Sequence, residues 1–306
     1  MIQKNIQGRL GNQMFQYAAT KGILQSNNID SELNLCFSDV YKNDFKNDLK
    51  NFNLKKYKEI TKIQLSFPQA LCMLYIKIYE IFLKFFNKDI TSFEIKRNKF
   101  EQKYKNIFLK FGVVRLVDGY TEFNLVSGKR YLFSGSFESA KYFECIKKEI
   151  QEEFTPKQKE LDSNKELYKI INSTNSVCIS VRRGDFLSSE FKDKHYVCDM
   201  NYFKNAIDRI KKQVENPVFI VFSDDIDWCK KEFSFLENVH FESGKDPVWE
   251  KLRLMYSCRH FIISNSTFSW WAQYLSRNEN KVVVAPSKWK NFGYNEDIYQ
   301  KEWDLI

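Results

Sequence analysis

The sequence predicts an α/β fold in two domains, each built on a parallel sheet, and three observations carry that expectation. Through the second half, short apolar and β-branched runs alternate with amphipathic helical stretches, the pattern of a parallel sheet with helices on both faces. Each of the main runs stops at a polar cluster, so polar groups gather beyond the carboxyl ends of the strands, where such folds bind ligands. The segment from Met1 to Ile23 reads once more as strand, glycine turn and helix, and opens a second unit of the same kind.

Met1 to Gln7 is a weak strand that runs into Gly8-Arg9-Leu10-Gly11-Asn12-Gln13. The two glycines permit a tight turn with close backbone approach, although their spacing is not the G-x-G-x-x-G fingerprint. The helix that follows carries Met14, Phe15, Ala18, Ala19, Gly22 and Ile23, and its small residues would let it pack close to a sheet. From about Asn43 to Phe111 the chain is mostly helical and Lys-rich, a helical insertion in the N-terminal half. Within it, Ala70 to Phe86 is nearly all apolar except Lys77, Glu80 and Lys84, which share one helical face. Two readings fit: a core helix, or a helix lying in a membrane interface and helped by Lys84 and Lys88, so that 70–88 touches lipid peripherally. A charged stretch from Glu152 to Lys159, interrupted by Pro156, marks the boundary between domains 1–152 and 153–306.

In the second domain Ser176 to Val181 is a buried strand that stops at Arg182-Arg183-Gly184-Asp185. Asp199 caps a helix with apolar positions Phe203, Ala206, Ile207, Ile210 and Val214. Val218 to Phe222 is the next buried strand and finishes at Ser223-Asp224-Asp225; a weaker strand, Val239 to Phe241, follows. Asp246-Pro247 opens another helix, and strands His260 to Ser264 and Val282 to Ala285 complete the set.

The bulk properties exclude more than they assign. A 306-residue chain that is 43% hydrophobic and 28% charged, with only 10 Gly and 5 Pro, is a folded globular protein without long disordered linkers. Its net charge of +9 suits an anionic partner, yet the basic residues are spread over all regions and no aromatic-basic platform for RNA is present, which argues against nucleic acid. Seven scattered cysteines without a C-x-x-C pair fit reduced thiols better than disulfides or zinc. No apolar signal region opens the chain, and no run reaches the ~18 apolar residues of a membrane span. A cytoplasmic protein is expected, peripheral at the inner face of the membrane if 70–88 meets lipid.

Arg182 and Arg183 at a strand end suit a diphosphate, because guanidinium forks hold phosphate oxygens bidentately and keep their charge; Asp185 can orient one of them. Ser264-Asn265-Ser266-Thr267-Phe268-Ser269-Trp270-Trp271 follows a strand and starts a helix, where hydroxyls and free N–H groups make an anion site while the tryptophans pack. Asp224 and Asp225 can accept the N–H groups of a guanine edge. They can instead hold a metal, since Asp225-Ile226-Asp227 resembles the D-x-D of metal-dependent transferases, or cap the next helix. Metal would duplicate the charge that the arginines supply, which favours the base.

Together, GRLGNQMFQYA (Gly8 to Ala18), SVRRGD (Ser180 to Asp185), FSDD (Phe222 to Asp225) and SNSTFSWW (Ser264 to Trp271) resemble the bacterial α-1,2-fucosyltransferases of glycosyltransferase family 11. The resemblance runs from residue 2 to about 290. It implies a GT-B-like fold of two facing Rossmann-like domains, GDP-fucose as donor, no metal or other cofactor, and inversion at the anomeric carbon. Carried over by motif, Arg182 would hold the β-phosphate, Asp225 the guanine, Ser266 and Thr267 the diphosphate, and Asn12 the space near fucose and acceptor, with Arg183, Asp224, Asn265 and Gly11 also at the donor. Ser180 stands where relatives often carry a His that helps to seat guanine. The implied activity is that of a galactoside α-1,2-fucosyltransferase acting on the 2-hydroxyl of a β-galactoside in a glycan. His195, Glu190 and Asp185 are the candidates for the general base. A GDP-fucose transferase of another linkage, and a basic nucleic-acid-binding protein, are the rival readings.

Overall fold

The computed structural model describes residues 1–87, 89–189, 192–291 and 296–306. Strand β1 (Ile2–Asn5) passes through the Gly8 turn into α1 (Leu10–Ser26). Gly8 has φ +75°, and a Cβ there would lie 2.7 Å from the Asn12 amide nitrogen, so the turn is closed to other residues. Gly22 lets α1 approach something closely, but the close partner is the 3-10 turn Ala140–Tyr142 rather than a strand: a Cβ would come within 2.1 Å of the Tyr142 carbonyl oxygen. Then come β2 (Leu33–Cys36), α2 (Ser38–Lys42), β3 (Tyr57–Ile60), the long helices α3 (Phe67–Phe86) and α4 (Ile90–Lys110), β4 (Val113–Arg115), β5 (Tyr131–Ser134) and α5 (Lys147–Glu153). The five strands form one parallel sheet in the order β3-β2-β1-β5-β4. The helical insertion is therefore α3 and α4, set between two strands of that sheet.

β1, weak in sequence because of Gln3 and Lys4, is the central strand. Both side chains are 1% exposed and both are satisfied. Gln3 exchanges two hydrogen bonds of 2.8 Å with the Gln64 backbone, and Lys4 Nζ donates to the Gly135 carbonyl at 2.8 Å. Burial, reinforced by the Arg115 charge, pulls the Lys4 ammonium down from 10.5 to about 7.

α3 meets the core-helix reading on one face only. Its inner face, Cys72, Ile76 and Leu83, is buried, and Cys72 and Ile76 pack with Phe100 and Phe108 of α4 and Val113 of β4. The outer face remains exposed: Leu71, Leu74, Tyr75, Ile78, Phe82 and Phe85 are all solvent-accessible. Lys88 lies outside the described residues. Among the described residues no helix is long and apolar enough to cross a membrane.

The second sheet starts after α6 (Lys165–Ser173). It holds β6 (Asn175–Val181), followed by α7 (Lys192–His195) and α8 (Met200–Lys211), then β7 (Pro217–Ser223), α9 (Ile226–Glu232), β8 (Val239–Phe241) and α10 (Val248–Ser257). β9 (His260–Ile262), α11 (Thr267–Leu275), β10 (Val283–Ala285) and β11 (Asp304–Leu305) complete it, all parallel in the order β11-β10-β9-β6-β7-β8. Asp199 caps α8 as its position suggests, accepting from Tyr202 N at 2.9 Å. The sheet's buried face and α8 share one apolar cluster that includes Val177, Ile179, Phe203, Ile207 and Val221.

Both sheets are thus those of Rossmann-like α/β units. The chain divides into two compact units, the first formed mainly by Met1–Lys50 and Leu54–Glu153, the second by Asn51–Asn53, the chain from Phe154 onward, and Gln300–Ile306. The Glu296–Ile298 turn returns to the first unit. Asn51–Asn53 is bound into the second by a Phe52–Pro156 bridge and by Lys157 N donating to Asn51 O at 2.9 Å. All seven cysteines are free thiols; Cys145 is exposed and the other six are buried.

Lys4 yields a pH prediction. Between pH 7 and 10.5 the unfolded chain holds a proton that the folded chain has released, so stability rises with pH across that window and the penalty is complete below it. Lys4→Met removes this titration. In urea unfolding from pH 7 to 9, the stability of the parent relative to Lys4→Met should rise by about 1 kcal/mol per pH unit. A difference that stays constant would mean that Lys4 is charged in the folded protein.

Candidate active site

The parallel register of β6 on β7 sets Val181 beside Ser223, so the next residues, Arg182 and Asp224, leave the sheet side by side. The Arg182 guanidinium is gripped on two sides: Nη1 lies 2.6 Å from Asp224 Oδ2 and Nη2 lies 2.6 Å from Asp185 Oδ1. Arg183 is fixed by other groups. Its backbone N–H donates to Asp224 Oδ1 at 2.9 Å, its Nε donates to Asp225 Oδ2 at 3.1 Å, and its guanidinium carbon sits 3.6 Å from the centroid of the Trp228 ring. Asp185, read as orienting one of the two arginines, holds Arg182. Gly184 is required between them, because a Cβ would come within 2.5 Å of Asp224 Oδ2.

The aspartates expected at a guanine edge are thus turned to the arginines and to a helix start. Asp225 also caps α9, accepting from Trp228 N at 3.4 Å. Asp227 is 87% exposed and pairs with Lys230 at 3.1 Å, so the D-x-D-like triplet does not converge. Among the described residues no three His, Cys, Asp or Glu side chains gather as a metal ion requires. Each guanidinium has five N–H donors; the two carboxylates engage two of those on Arg182, holding its plane while leaving donor capacity for an anion.

The third strand end behaves differently residue by residue. Ser180, Ser269 and Ser264 form a buried hydroxyl chain, with Oγ–Oγ distances of 2.6 Å and 3.2 Å. Ser180 is thereby committed to α11. Asn265, expected at the donor, is 4% exposed and acts as a clamp: its Nδ2 donates to the carbonyls of His195 and Trp289, each at 2.9 Å. Ser266 is the N-cap residue of α11, but its side chain makes no capping bond, so the hydroxyl is not consumed by the helix end. Thr267 opens the helix. Both are half-buried, whereas Trp270 and Trp271 are fully buried packing groups.

The loop after the arginines brings His195 into this neighbourhood. Its ring stacks on Phe186 with centroids 5.1 Å apart and planes 23° apart, and Phe186 in turn has the Arg182 guanidinium 5.7 Å from its centroid. Glu190 lies outside the described residues. Gly11 and Asn12 belong to the N-terminal unit, in the first turn of α1. Their motif includes much scaffold: Gln13 Nε2 donates to the Gly8 and Lys46 carbonyls, Gln16 binds the Gln7 backbone in both directions, and Tyr17 OH donates to Glu153 at 2.7 Å. Phe186 and Trp228 were not singled out from sequence. The available signal was Trp228 three residues after Asp225, one turn into α9, where an arginine across the strand end can lie on it.

Gly184→Ala should force Asp224 off Arg182 and leave charges incompletely paired. A loss of about 2 kcal/mol in urea unfolding is expected; a loss below about 0.5 kcal/mol would show that the loop relaxes around the methyl group.

The sequence model described as Glycosyl transferase family 11 matches residues 1–306. An alpha-1,2-colitosyltransferase of Escherichia coli is 32% identical over 94% of this chain and 92% of the relative. The O-antigen biosynthesis glycosyltransferase WbnK of Escherichia coli is 29% identical over 93% of each chain. The galactoside alpha-(1,2)-fucosyltransferase 1 of Homo sapiens is 30% identical over 42% of this chain and 37% of the relative. With a family match over its whole length, and with strand ends that deliver two held arginines and the start of α11, this chain belongs to glycosyltransferase family 11.

Proposed function

We propose that this glycosyltransferase moves L-fucose from GDP-β-L-fucose to the 2-hydroxyl of a β-galactoside, with inversion and without a metal. The observation that carries the reading is the Arg182 fork, held between Asp224 and Asp185 at the paired ends of β6 and β7. In this scheme the acceptor oxygen forms a bond to the anomeric carbon as the bond to the β-phosphate breaks. GDP leaves with the electron pair, and the acceptor proton passes to a base. Arg182 and Arg183 meet the charge that grows on the diphosphate, and the α11 start adds the Ser266 hydroxyl and the positive end of a helix dipole. Asp224 and Asp225 act through the arginines, which they orient, rather than on guanine directly, because their oxygens already accept from Arg182, Arg183 and Trp228.

Linkage and donor have unequal support. The bacterial colitosyltransferase and the human fucosyltransferase share α-1,2 in their names, which supports that linkage. They differ in the sugar, and of these two the colitosyltransferase is the one matched over most of this chain. Colitose lacks the 3-hydroxyl of fucose, so GDP-colitose is the second donor to test. The name of WbnK supports a bacterial surface polysaccharide, or its lipid-linked precursor, as acceptor.

One experiment tests the reading. The purified protein is given GDP-fucose or GDP-colitose with β-galactosides in excess EDTA, and the product linkage is determined. An α-1,2-fucosyl product formed without metal is expected. Arg182→Ala should lower the rate at least about 100-fold and weaken GDP binding, and Arg182→Lys should recover little of either. Preference for GDP-colitose would replace the donor, and a rate restored only by Mn²⁺ or Mg²⁺ would return Asp224, Asp225 and Asp227 to metal ligands.

For the base we favour His195 over Asp185, whose carboxylate is paired with Arg182, while the His195 ring is carried beside that arginine by Phe186. His195→Ala is expected to reduce kcat by about 100-fold or more, with GDP affinity within about twofold of the parent. Parental turnover would pass the role to Glu190, or to a loose transition state that needs little base assistance.

A further inference from the structure

The outer face of α3 is apolar along its whole length and no described residue of the first unit covers it. Leu71, Leu74, Ile78, Phe82, Phe85 and Phe86 are between 46% and 80% exposed. At 100° per residue they form one continuous stripe over about 23 Å of helix. The helix is not a frayed or loose element. Ser66 and Gln69 close a capping box at its start, Gln69 Nε2 donates to the Gly112 carbonyl at 3.0 Å, and Glu80 pairs with Arg115 at 2.6 Å. An apolar stripe on a firmly held helix marks an interaction surface.

Charge decides its occupant. Lys77 and Lys84 are exposed and border the stripe on one side. Over residues 67–110 there are nine Lys and Arg against four Asp and Glu, so more than half of the chain's +9 lies on this insertion. In a two-fold dimer through the stripe each copy would meet the same basic border, which disfavours self-association. An anionic bilayer meets both features at once: the rings and aliphatic groups enter the acyl boundary while the lysines stay at the headgroups. We propose that α3 lies in the plane of an anionic lipid bilayer and holds the enzyme on that surface. The proposal rests on this surface alone and is independent of the donor and acceptor assigned above.

Flotation of the purified full chain with vesicles tests it. Binding to phosphatidylglycerol–phosphatidylcholine vesicles is expected, and weaker binding to phosphatidylcholine alone. Ile78→Glu combined with Phe82→Glu should lower the bound fraction about tenfold at an unchanged Tm, since both side chains are exposed and their loss leaves the core intact. Lys77→Gln with Lys84→Gln should reduce the preference for phosphatidylglycerol severalfold. The proposal is overturned if the parent floats with neither vesicle, or if the Glu variant floats as the parent does. It also fails if light scattering finds a dimer that the Glu variant splits, because the stripe would then serve a second copy. Equal binding to both vesicles would overturn the anionic preference.

Discussion

The candidate site depends on a register. Seven consecutive residue pairs align β6 with β7, from Asn175 beside Pro217 to Val181 beside Ser223. Arg182 and Asp224 therefore emerge together, and each of the neighbouring charges finds its partner from that starting point. Two guanidiniums and three carboxylates share a small volume in which the arginine side chains are only 15–20% exposed. Charges so shielded from water are tolerable only when paired and hydrogen-bonded, and removal of one partner costs far more than the pair contributes. The arrangement also fixes direction. A guanidinium held at two nitrogens has little rotational freedom left, so its remaining donors are aimed before any anion arrives. A slip of one residue between these strands would turn the side chains to opposite faces and dismantle the cluster.

The same physics explains what could be read from sequence. β6 and β7 are seven-residue, mostly apolar strands with runs of consecutive buried positions, and their ends are legible because charged residues begin abruptly at 182 and 224. The strands of the first unit have three or four residues each, and β3, Tyr-Lys-Glu-Ile, looks like surface sequence because it is an edge strand. β1 was found but underrated: Gln3 and Lys4 suggest exposure until Gln64 and Gly135, more than 60 residues away, satisfy them. Motif spacing identified the correct strand ends. It could not identify the partners, since the pairing of Arg182 with Asp224 rather than with solvent, or of Arg183 with Trp228, is decided across a gap of about 40 residues.

Motif residues also separate into those that shape a site and those offered to a ligand. In the first motif Gln13, Gln16 and Tyr17 all bond to backbone or to Glu153, holding the Gly8 turn in place. Asn265 does comparable work in the last motif, binding the carbonyls of His195 at the end of α7 and of Trp289, and Ser180 shares a hydroxyl hydrogen bond with Ser269. Such residues are constrained as strongly as catalytic ones, because a buried amide or hydroxyl without its partner costs about 1–3 kcal/mol. A motif match therefore supports the family more firmly than it supports any one residue's contact with substrate. What distinguishes the offered groups is a polar side chain at the edge that the fold itself does not consume, as with the Ser266 hydroxyl at the start of α11.

α3 shows the limit of hydrophobic periodicity from the opposite direction. A surface helix ordinarily carries one apolar stripe, and an all-round apolar helix is ordinarily buried. α3 has two apolar faces, one centred on Cys72 and Ile76, the other on Ile78 and Phe82, so its sequence looks like that of a core helix. Only tertiary packing distinguishes them: α4 and β4 take the first face, and among the described residues no element of the unit takes the second. The polar residues between the faces then gain meaning. Glu80 ties the helix to Arg115, which also holds Glu101 of α4, so one side of α3 is anchored by ion pairs as well as by packing. Lys77 and Lys84 border the other side, where a basic edge would repel a second copy of itself and attract an anionic surface. The insertion adds no strand to the sheet and presents an apolar stripe with a basic border, the two features on which the proposed docking to an anionic surface rests.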